Sequence, residues 1–293
     1  MLPNIGEKGQ NNRNPRRQKV LLTILIPTHN RKDDLTRCLN SIDLNEDFEV
    51  IISDNASPYD VQECIPEKLR ACCTVRRRSS NTGPRDNLYE VGRLANGDYS
   101  LYITDDDYFL RHKLKALVDQ LKKETNYEVG YAACVVSLVK SNRTKYYGHL
   151  PACFGRAGFI LRAHVLSGLI IKTSELQDVL TKNEKLLRTT WHIGMAILCL
   201  SKGPRFTIPQ PLLIHTWENE TYWGIRNNDY SILEVDNKLL FRTMRDNCHI
   251  NLFEFSLLRL SFTPLGKFVY RLAHFANRFW ANPKLGNPNV VRP

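Results

Sequence analysis

The run Val20–Pro27 (VLLTILIP) narrows the folds open to this chain more than any other feature. It is apolar at nearly every position, so a strand built from it has no face suited to water. Strands buried on both faces belong to parallel sheets covered by helices. The pattern recurs at Phe48–Ser53 (FEVIIS), more weakly at Thr74–Val75, and at Leu101–Thr104. Between these runs the apolar spacing turns helical. Leu35, Cys38, Leu39 and Ile42 follow an acidic start at Asp33–Asp34, and Pro58-Tyr59-Asp60 introduces a short helix. A helix is expected from Arg85 to Ala95, and Leu114, Leu117, Val118 and Leu121 form an amphipathic stripe. Strands alternating with helices at this pitch predict βαβ units with right-handed crossovers in a doubly wound sheet.

The second half is less regular. Val129–Val139 resumes β character, and the segment 141–156 has no clear pattern. Gly168–Ile171 reads as a short buried strand, with Ser174 suited to cap the helix after it. Trp191–Leu200 reads as a buried helix stopped by Lys202-Gly203-Pro204, and Phe206–Ile214 as an irregular edge segment because of its prolines. Asp229–Asp246 is an expected helix. Thr263-Pro264 opens another, with Leu265, Phe268, Val269, Leu272, Phe275 and Phe279 on one side and Lys267, Arg271, His274 and Arg278 beside them. A basic amphipathic helix of this kind suits an anionic membrane surface, here through 264–280; packing on its own domain is the competing reading.

Polar clusters follow the strand runs: Thr28-His29-Asn30-Arg31, Asp54-Asn55-Ala56-Ser57, Asn81-Thr82-Gly83 and Asp105-Asp106-Asp107. In open α/β sheets ligands bind at the carboxyl ends of strands, so one fold rule gathers all four on a single rim. The triplet stands out. Three adjacent carboxylates repel one another and are costly to desolvate. A hard divalent cation sharing oxygens with a phosphorylated ligand would relieve that cost, whereas a solvated acidic turn is the plain alternative. No G-x-G-x-x-G follows the first strand and there is no G-x-x-x-x-G-K-[ST], which disfavours a dinucleotide dehydrogenase or a P-loop ATPase.

The net charge of +11 over 293 residues fits nucleic acid, an anionic membrane or phosphorylated small molecules. Nucleic acid is disfavoured, because an acidic rim repels phosphate without a metal. The eight cysteines form no C-x-x-C pair and sit mostly in apolar stretches, as expected of reduced, buried thiols in the cytoplasm. Met1–Lys19 lacks an apolar core, which argues against a secretory signal, and is expected to be a disordered basic tail. No apolar run approaches the roughly 20 residues of a membrane-spanning helix, so membrane contact is expected to be peripheral, at the inner face.

The chain resembles a family 2 glycosyltransferase of the GT-A fold. The resemblance rests on I-P-T-H-N-R (Ile26–Arg31), V-I-I-S-D-N-A-S (Val50–Ser57), N-T-G followed by Asn87, and A-N-G-D-Y…T-D-D-D (Ala95–Asp107), in that order. It is strong over residues 20–125 and looser over 126–215. It implies a mixed, mainly parallel sheet with flanking helices. A glycosyltransferase domain would span 20–220, divided into a nucleotide-binding half (20–125) and an acceptor half (126–220), with 221–293 as a helical C-terminal extension. It further implies a metal-dependent, inverting transfer of sugar from a nucleotide-diphosphate donor, UDP-sugar being favoured. The acceptor would be a hydroxyl of a glycan or lipid-linked substrate in surface polysaccharide or lipopolysaccharide synthesis.

By the same resemblance Pro27, Thr28, Asn30 and Arg31 line the nucleotide pocket. Asp54 accepts a hydrogen bond from the base, and Asn81 and Gly83 approach the nucleotide. Asp105 lies near the ribose, and Asp106 holds Mn²⁺ or Mg²⁺ with Asp107 as second ligand or orienter. Thr104 stands where the family usually has the leading Asp of a D-x-D motif. The general base is usually a carboxylate of an acidic pair just before a helix, and that pair is missing. His192, nearer the expected helix start and of a residue type that titrates near neutral pH, ranks ahead of Glu184, the nearest carboxylate, as the alternative base. His215 falls where the family closes over the diphosphate. A sugar-phosphate nucleotidyltransferase would instead need a Gly-rich basic signature after the first strand, and a non-catalytic nucleic-acid binder leaves the ordered acidic rim unexplained.

Overall fold

The computed structural model describes residues 20–43, 47–123, 126–138, 143–147, 155–163, 165–182, 191–217, 231–247, 249–260 and 263. The basic tail 1–19, Glu184 and the segment 264–280 lie outside the described residues. The first half runs β1 (Leu22–Thr28), α1 (Lys32–Asn40), β2 (Phe48–Asp54), two short 3₁₀ turns, β3 (Cys73–Arg77), α2 (Pro84–Arg93) and β4 (Tyr99–Tyr102). Next come β5 (Tyr108–Phe109), α3 (Lys113–Lys123), β6 (Val129–Leu138), β7 (Arg143–Tyr147), α4 (Gly155–Arg162), β8 (Leu169–Lys172) and α5 (Thr173–Lys182). The chain continues through α6 (Trp191–Leu200), β9 (Arg205–Trp217), α7 (Ser231–Asp246) and α8 (Leu252–Leu260).

One sheet organises the fold, in the order β3-β2-β1-β4-β8-β6-β9-β5, with β7 paired to β6. It is parallel across β3-β2-β1-β4 and antiparallel at β4–β8 and β6–β8; β9 runs parallel to β6 and antiparallel to β5. The apolar run of β1 is buried on both faces as its composition requires. Leu22, Ile24 and Ile26 join Leu35, Leu39, Val50, Ile52, Leu117 and Leu121 in one core. Leu25 joins Ile51, Leu88, Tyr102, Tyr131, Leu176 and Ile197 in the core of the other face. Burial of each such aliphatic side chain is worth about 1.5–3 kcal/mol.

Gly97 is fixed by a close approach. Its N–H donates to Thr23 Oγ1 at 2.8 Å, and a Cβ there would lie 2.8 Å from the main-chain nitrogen of Thr23. The C-terminal helices are built onto the same core. Phe241, Met244, Phe255 and Leu258 pack with residues of α4 and α6, and Arg156 ties α4 to α8 through Glu254 (3.2 Å) and the His249 carbonyl (2.8 Å).

The expected edge segment at Phe206–Ile214 is instead an interior strand. β9 lies between β6 and β5, and the register jumps from Ala132–Ile208 to Ala133–Pro211. The bulge takes Pro209 and Gln210 out of the ladder, so the missing N–H of Pro209 falls at no aligned position, and Pro211, aligned with Ala133, is followed by a second register shift before Cys134. Ahead of α5, Thr173 rather than Ser174 makes the junction: its N–H donates to the Asp98 carbonyl.

Candidate functional site

Register places the rim. Thr28 is aligned with Asp54, and Asp54 with Arg77, at the carboxyl ends of β1, β2 and β3. Asn87, buried in α2, locks two of those ends together. Its Nδ2 donates to the Thr28 and Ser53 carbonyls (3.3 and 3.0 Å), and its Oδ1 accepts from Ser53 Oγ (2.6 Å). Asn30 and Ala56 take left-handed backbone with φ of 54° and 61°. Such conformations in non-glycine residues cluster where the surrounding structure imposes them. Here Asn30 N–H donates to Ser57 Oγ, joining the first two rim loops.

Asp54 is fully buried. Its Oδ1 accepts the Ser57 N–H at 2.9 Å, and its Oδ2 faces Arg77 at 3.2 Å. Asn55 reaches across to the third loop, donating to Asn81 Oδ1 (2.8 Å) and the Gly83 carbonyl (3.1 Å). Asn81 Nδ2 lies 3.0 Å from His29 Nε2. Gly83 has φ +87°, a conformation glycine adopts at no steric cost, and Pro84 follows at the first position of α2. Pro27, half-buried, is the penultimate residue of β1.

The carboxylate triplet closes the rim after β4, and its members differ sharply. Asp107 is fully buried and saturated: Oδ1 accepts the Thr216 N–H at 2.8 Å, and Oδ2 accepts from Thr104 Oγ1 at 3.0 Å. His215 Nδ1 lies 2.9 Å from Oδ2, and because a carboxylate only accepts, Nδ1 carries the proton. Thr104, in the position of the family's usual Asp, thus serves Asp107 and is itself held by Ser167 (3.0 Å). Asp105 Oδ2 accepts from Thr28 Oγ1 at 2.7 Å. Asp106 is 5% exposed; its Oδ2 receives Arg31 Nη1 at 2.9 Å, while Oδ1 is buried with no hydrogen-bond partner. Arg37 donates to the Asp106 carbonyl at 3.0 Å.

The electrostatics follow from this crowding. Burial, and then the Asp106 charge, push the Asp105 carboxyl up to about 7 against the pull of Arg31 and Thr28. Burial and the Asp107 charge raise Asp106. Burial alone would lower His215, but the charge and hydrogen bond of Asp107 outweigh it and the net shift is upward. Behind the triplet, the Cys38 thiol of α1 is pushed up by burial and by the three carboxylates. Burial and mutual repulsion thus favour the protonated forms of Asp105 and Asp106 relative to free carboxyls.

The structure brings together Thr28, Arg31, Asp105, Asp106, Asp107 and His215, and links Asn30, Asp54, Asn81 and Gly83 along the adjoining loops. His192 sits half-buried in the first turn of α6, a helix packed on α4, α5, α7 and β6. Sequence reasoning missed Tyr59, whose hydroxyl accepts the Arg31 N–H, and Arg77, Ser167 and Thr216. Thr216 acts through its main chain, which leaves no residue-type signal. A cleft of about 700 Å³ at the opposite end of the strands is lined by Asn96, Gly97, Lys172, Thr173 and Gln177. Its polar groups bond to the fold itself, with Thr173 on Ser100, Lys172 on Glu128 and Gln177 on the Ala95 carbonyl, so it reads as packing rather than chemistry.

A parallel half-sheet with an acidic, loop-braced rim, extended by a mixed half that closes over it, is a GT-A-type α/β fold. The chain belongs to glycosyl transferase family 2, whose family model matches residues 23–171. It is 36% identical over 114 residues to the abequosyltransferase RfbV of Salmonella typhimurium, covering 36% of this chain and 34% of that protein. It is 28% identical over 95 residues to a poly(ribitol-phosphate) beta-glucosyltransferase of Bacillus spizizenii, covering 30% and 15%. The matched regions thus span about a third or less of these two relatives. In fold it is similar to S. aureus TarS 1-349 solved in complex with UDP-GlcNAc, with a TM-score of 0.61 at 16% identity, covering 91% of this chain and 77% of that one. Among the described residues no helix is long and apolar enough to cross a membrane.

Proposed function

We propose that the protein is an inverting, metal-dependent glycosyltransferase that moves a sugar from a nucleotide-diphosphate donor, a UDP-sugar, to a hydroxyl of a glycan or lipid-linked acceptor. The observation that carries the reading is the buried Asp106 Oδ1, which has no hydrogen-bond partner beside carboxylates that are otherwise engaged. A buried carboxylate oxygen without a partner is costly, and a cation satisfies it. Among the described residues no group of three or more His, Cys, Asp or Glu could hold a metal on its own. Mn²⁺ and Mg²⁺ commonly take one or two protein carboxylates and complete their shell from substrate phosphates and water. Asp106 would hold the ion, with Asp107 orienting the site through its bonds to Thr104, His215 and Thr216. Such an ion, when bound, supplies charge neutralisation to a departing diphosphate.

The remaining roles fall to the chain itself. Thr28 fixes Asp105 toward the ribose, Asn30, Asp54, Asn81 and Gly83 shape the base end, and His215 lies beside the diphosphate position. Proton removal from the acceptor hydroxyl is assigned to His192 or Glu184. TarS 1-349, of like fold and solved in complex with UDP-GlcNAc, supports a UDP-sugar, and the similarity to a poly(ribitol-phosphate) beta-glucosyltransferase supports a polymeric acceptor. The place of work is the cytoplasmic face of the membrane, reached by peripheral contact through the basic stretch 264–280. Thermal-shift titration with UDP, GDP and CDP, each with and without Mn²⁺, tests the reading. UDP is expected to stabilise the protein only when Mn²⁺ is present, and Asp106→Asn to abolish both that shift and sugar transfer while retaining the fold. Absence of a metal-dependent shift with every nucleotide would overturn it.

A further inference from the structure

The rim carries a cation of its own. Arg31 Nη1 is 2.9 Å from Asp106 Oδ2 and 3.8 Å from Asp34 Oδ2, and its Nε is 4.0 Å from Asp105 Oδ1. One guanidinium thus faces three carboxylates. Its main chain is pinned, with the N–H on Tyr59 Oη at 3.0 Å and the carbonyl accepting the Leu35 N–H at the start of α1. The side chain is a third exposed, whereas Asp105 and Asp106 are almost wholly buried. The acids are therefore enclosed by the fold, and the guanidinium is the part that reaches solvent.

We propose that Arg31 is a displaceable counter-ion: it neutralises Asp106 and Asp105 in the free protein and transfers to the diphosphate when a divalent ion takes Asp106, so that metal and nucleotide bind cooperatively. The inference rests on the metal-dependent reading above. An ion on Asp106 Oδ1 would share a carboxylate with the guanidinium already on Oδ2. Two cations that close repel strongly in a site shielded from water. Arginine does not relieve the conflict by losing its proton, so the side chain must leave. A diphosphate beside the ion offers what the guanidinium prefers, a planar two-point contact with phosphate oxygens. Arg37 cannot play the same part, because it is bound to the Asp106 carbonyl and to Asp34. Coupling of this kind is reciprocal: the nucleotide must tighten the metal by the same factor as the metal tightens the nucleotide.

The test compares wild type with Arg31→Gln and Arg31→Lys. Mn²⁺ binding to nucleotide-free protein is followed by the loss of the free-ion paramagnetic resonance signal. UDP binding with and without Mn²⁺ is followed by calorimetry, corrected for the Mn²⁺–UDP complex. Wild type is expected to bind Mn²⁺ weakly alone and about tenfold or more tightly with UDP, within the usual range of coupling between sites. Arg31→Gln is expected to bind Mn²⁺ alone about tenfold more tightly than wild type and to lose most of the coupling; Arg31→Lys keeps the weak metal binding of wild type. An unchanged or weaker Mn²⁺ affinity in Arg31→Gln, with wild type still binding Mn²⁺ in the presence of UDP, would overturn the counter-ion role alone. No Mn²⁺ binding by wild type under any condition would overturn the metal-dependent reading and this role with it. Matching melting curves for the three proteins separate these outcomes from a folding defect.

Discussion

Replacing Asn87 with alanine probes how the rim is held. Asn87 makes three buried hydrogen bonds, two to carbonyls at the ends of β1 and β2 and one from Ser53 Oγ. At about 1 kcal/mol net for each, their loss destabilises the protein by about 3 kcal/mol. For a chain of this size that lowers the melting temperature by about 6–12 °C. Ser53→Ala removes only one of the three and is expected to cost about 1 kcal/mol. The two substitutions share that bond, so the double variant should be less destabilised than the sum of the singles. Calorimetric melting of all four proteins measures each quantity. UDP affinity should fall with Asn87→Ala as well, because Thr28 and Asp54 stand at the two strand ends it joins. A melting temperature within about 1 °C of wild type, or costs that add in full, would refute the clamp.

Gly97→Ala is expected to destabilise by about 1–3 kcal/mol, because the new methyl meets the main chain of β1, which cannot swing aside as a side chain could. Urea denaturation measures it, and a neutral result would refute the close approach. The metal-free protein should also lose stability as pH rises. Asp105 titrates near 7 in the folded state, above its unfolded value near 4, so its contribution is most favourable at low pH and declines between about pH 4 and 7. His215, raised as well, adds stability that is lost as pH rises through its folded pKa, in the same sense. Asp105→Asn should flatten the decline below about pH 7 in a series of thermal melts; an unchanged slope would contradict the burial of that charge.

The strands and helices around β1, β2 and β4 were legible because their apolar residues recur with the right period and are long enough to leave no doubt of type. Direction was not: Gly168–Ile171 reads as a strand, but nothing local states that β8 runs antiparallel to β4. The prolines of β9 suggest an edge, and only the bulge opposite Ala132 and Ala133 shows how an interior strand accommodates them. At the site, the gathering of Thr28, Asp54, Asn81 and the triplet on one rim followed from topology. The partners within the rim did not. Arg31 over Asp106, Thr216 on Asp107 and Ser167 behind Thr104 depend on contacts between residues distant in sequence, two of them through a main-chain N–H.

The pairing of β5 with β9 bears on how such proteins can be recombined. Residues matched by the family model end at 171, yet His215 and the Thr216 N–H that steady Asp107 come from β9. A chimera joined after residue 171 would import a foreign β9, whose main chain still offers an N–H at the place of Thr216, whereas the His215 contact to the fully buried Asp107 depends on the residue brought in. Segments exchanged between relatives are therefore better chosen to keep His215, because the side chain that reaches Asp107 from β9 lies outside the span that the family model matches.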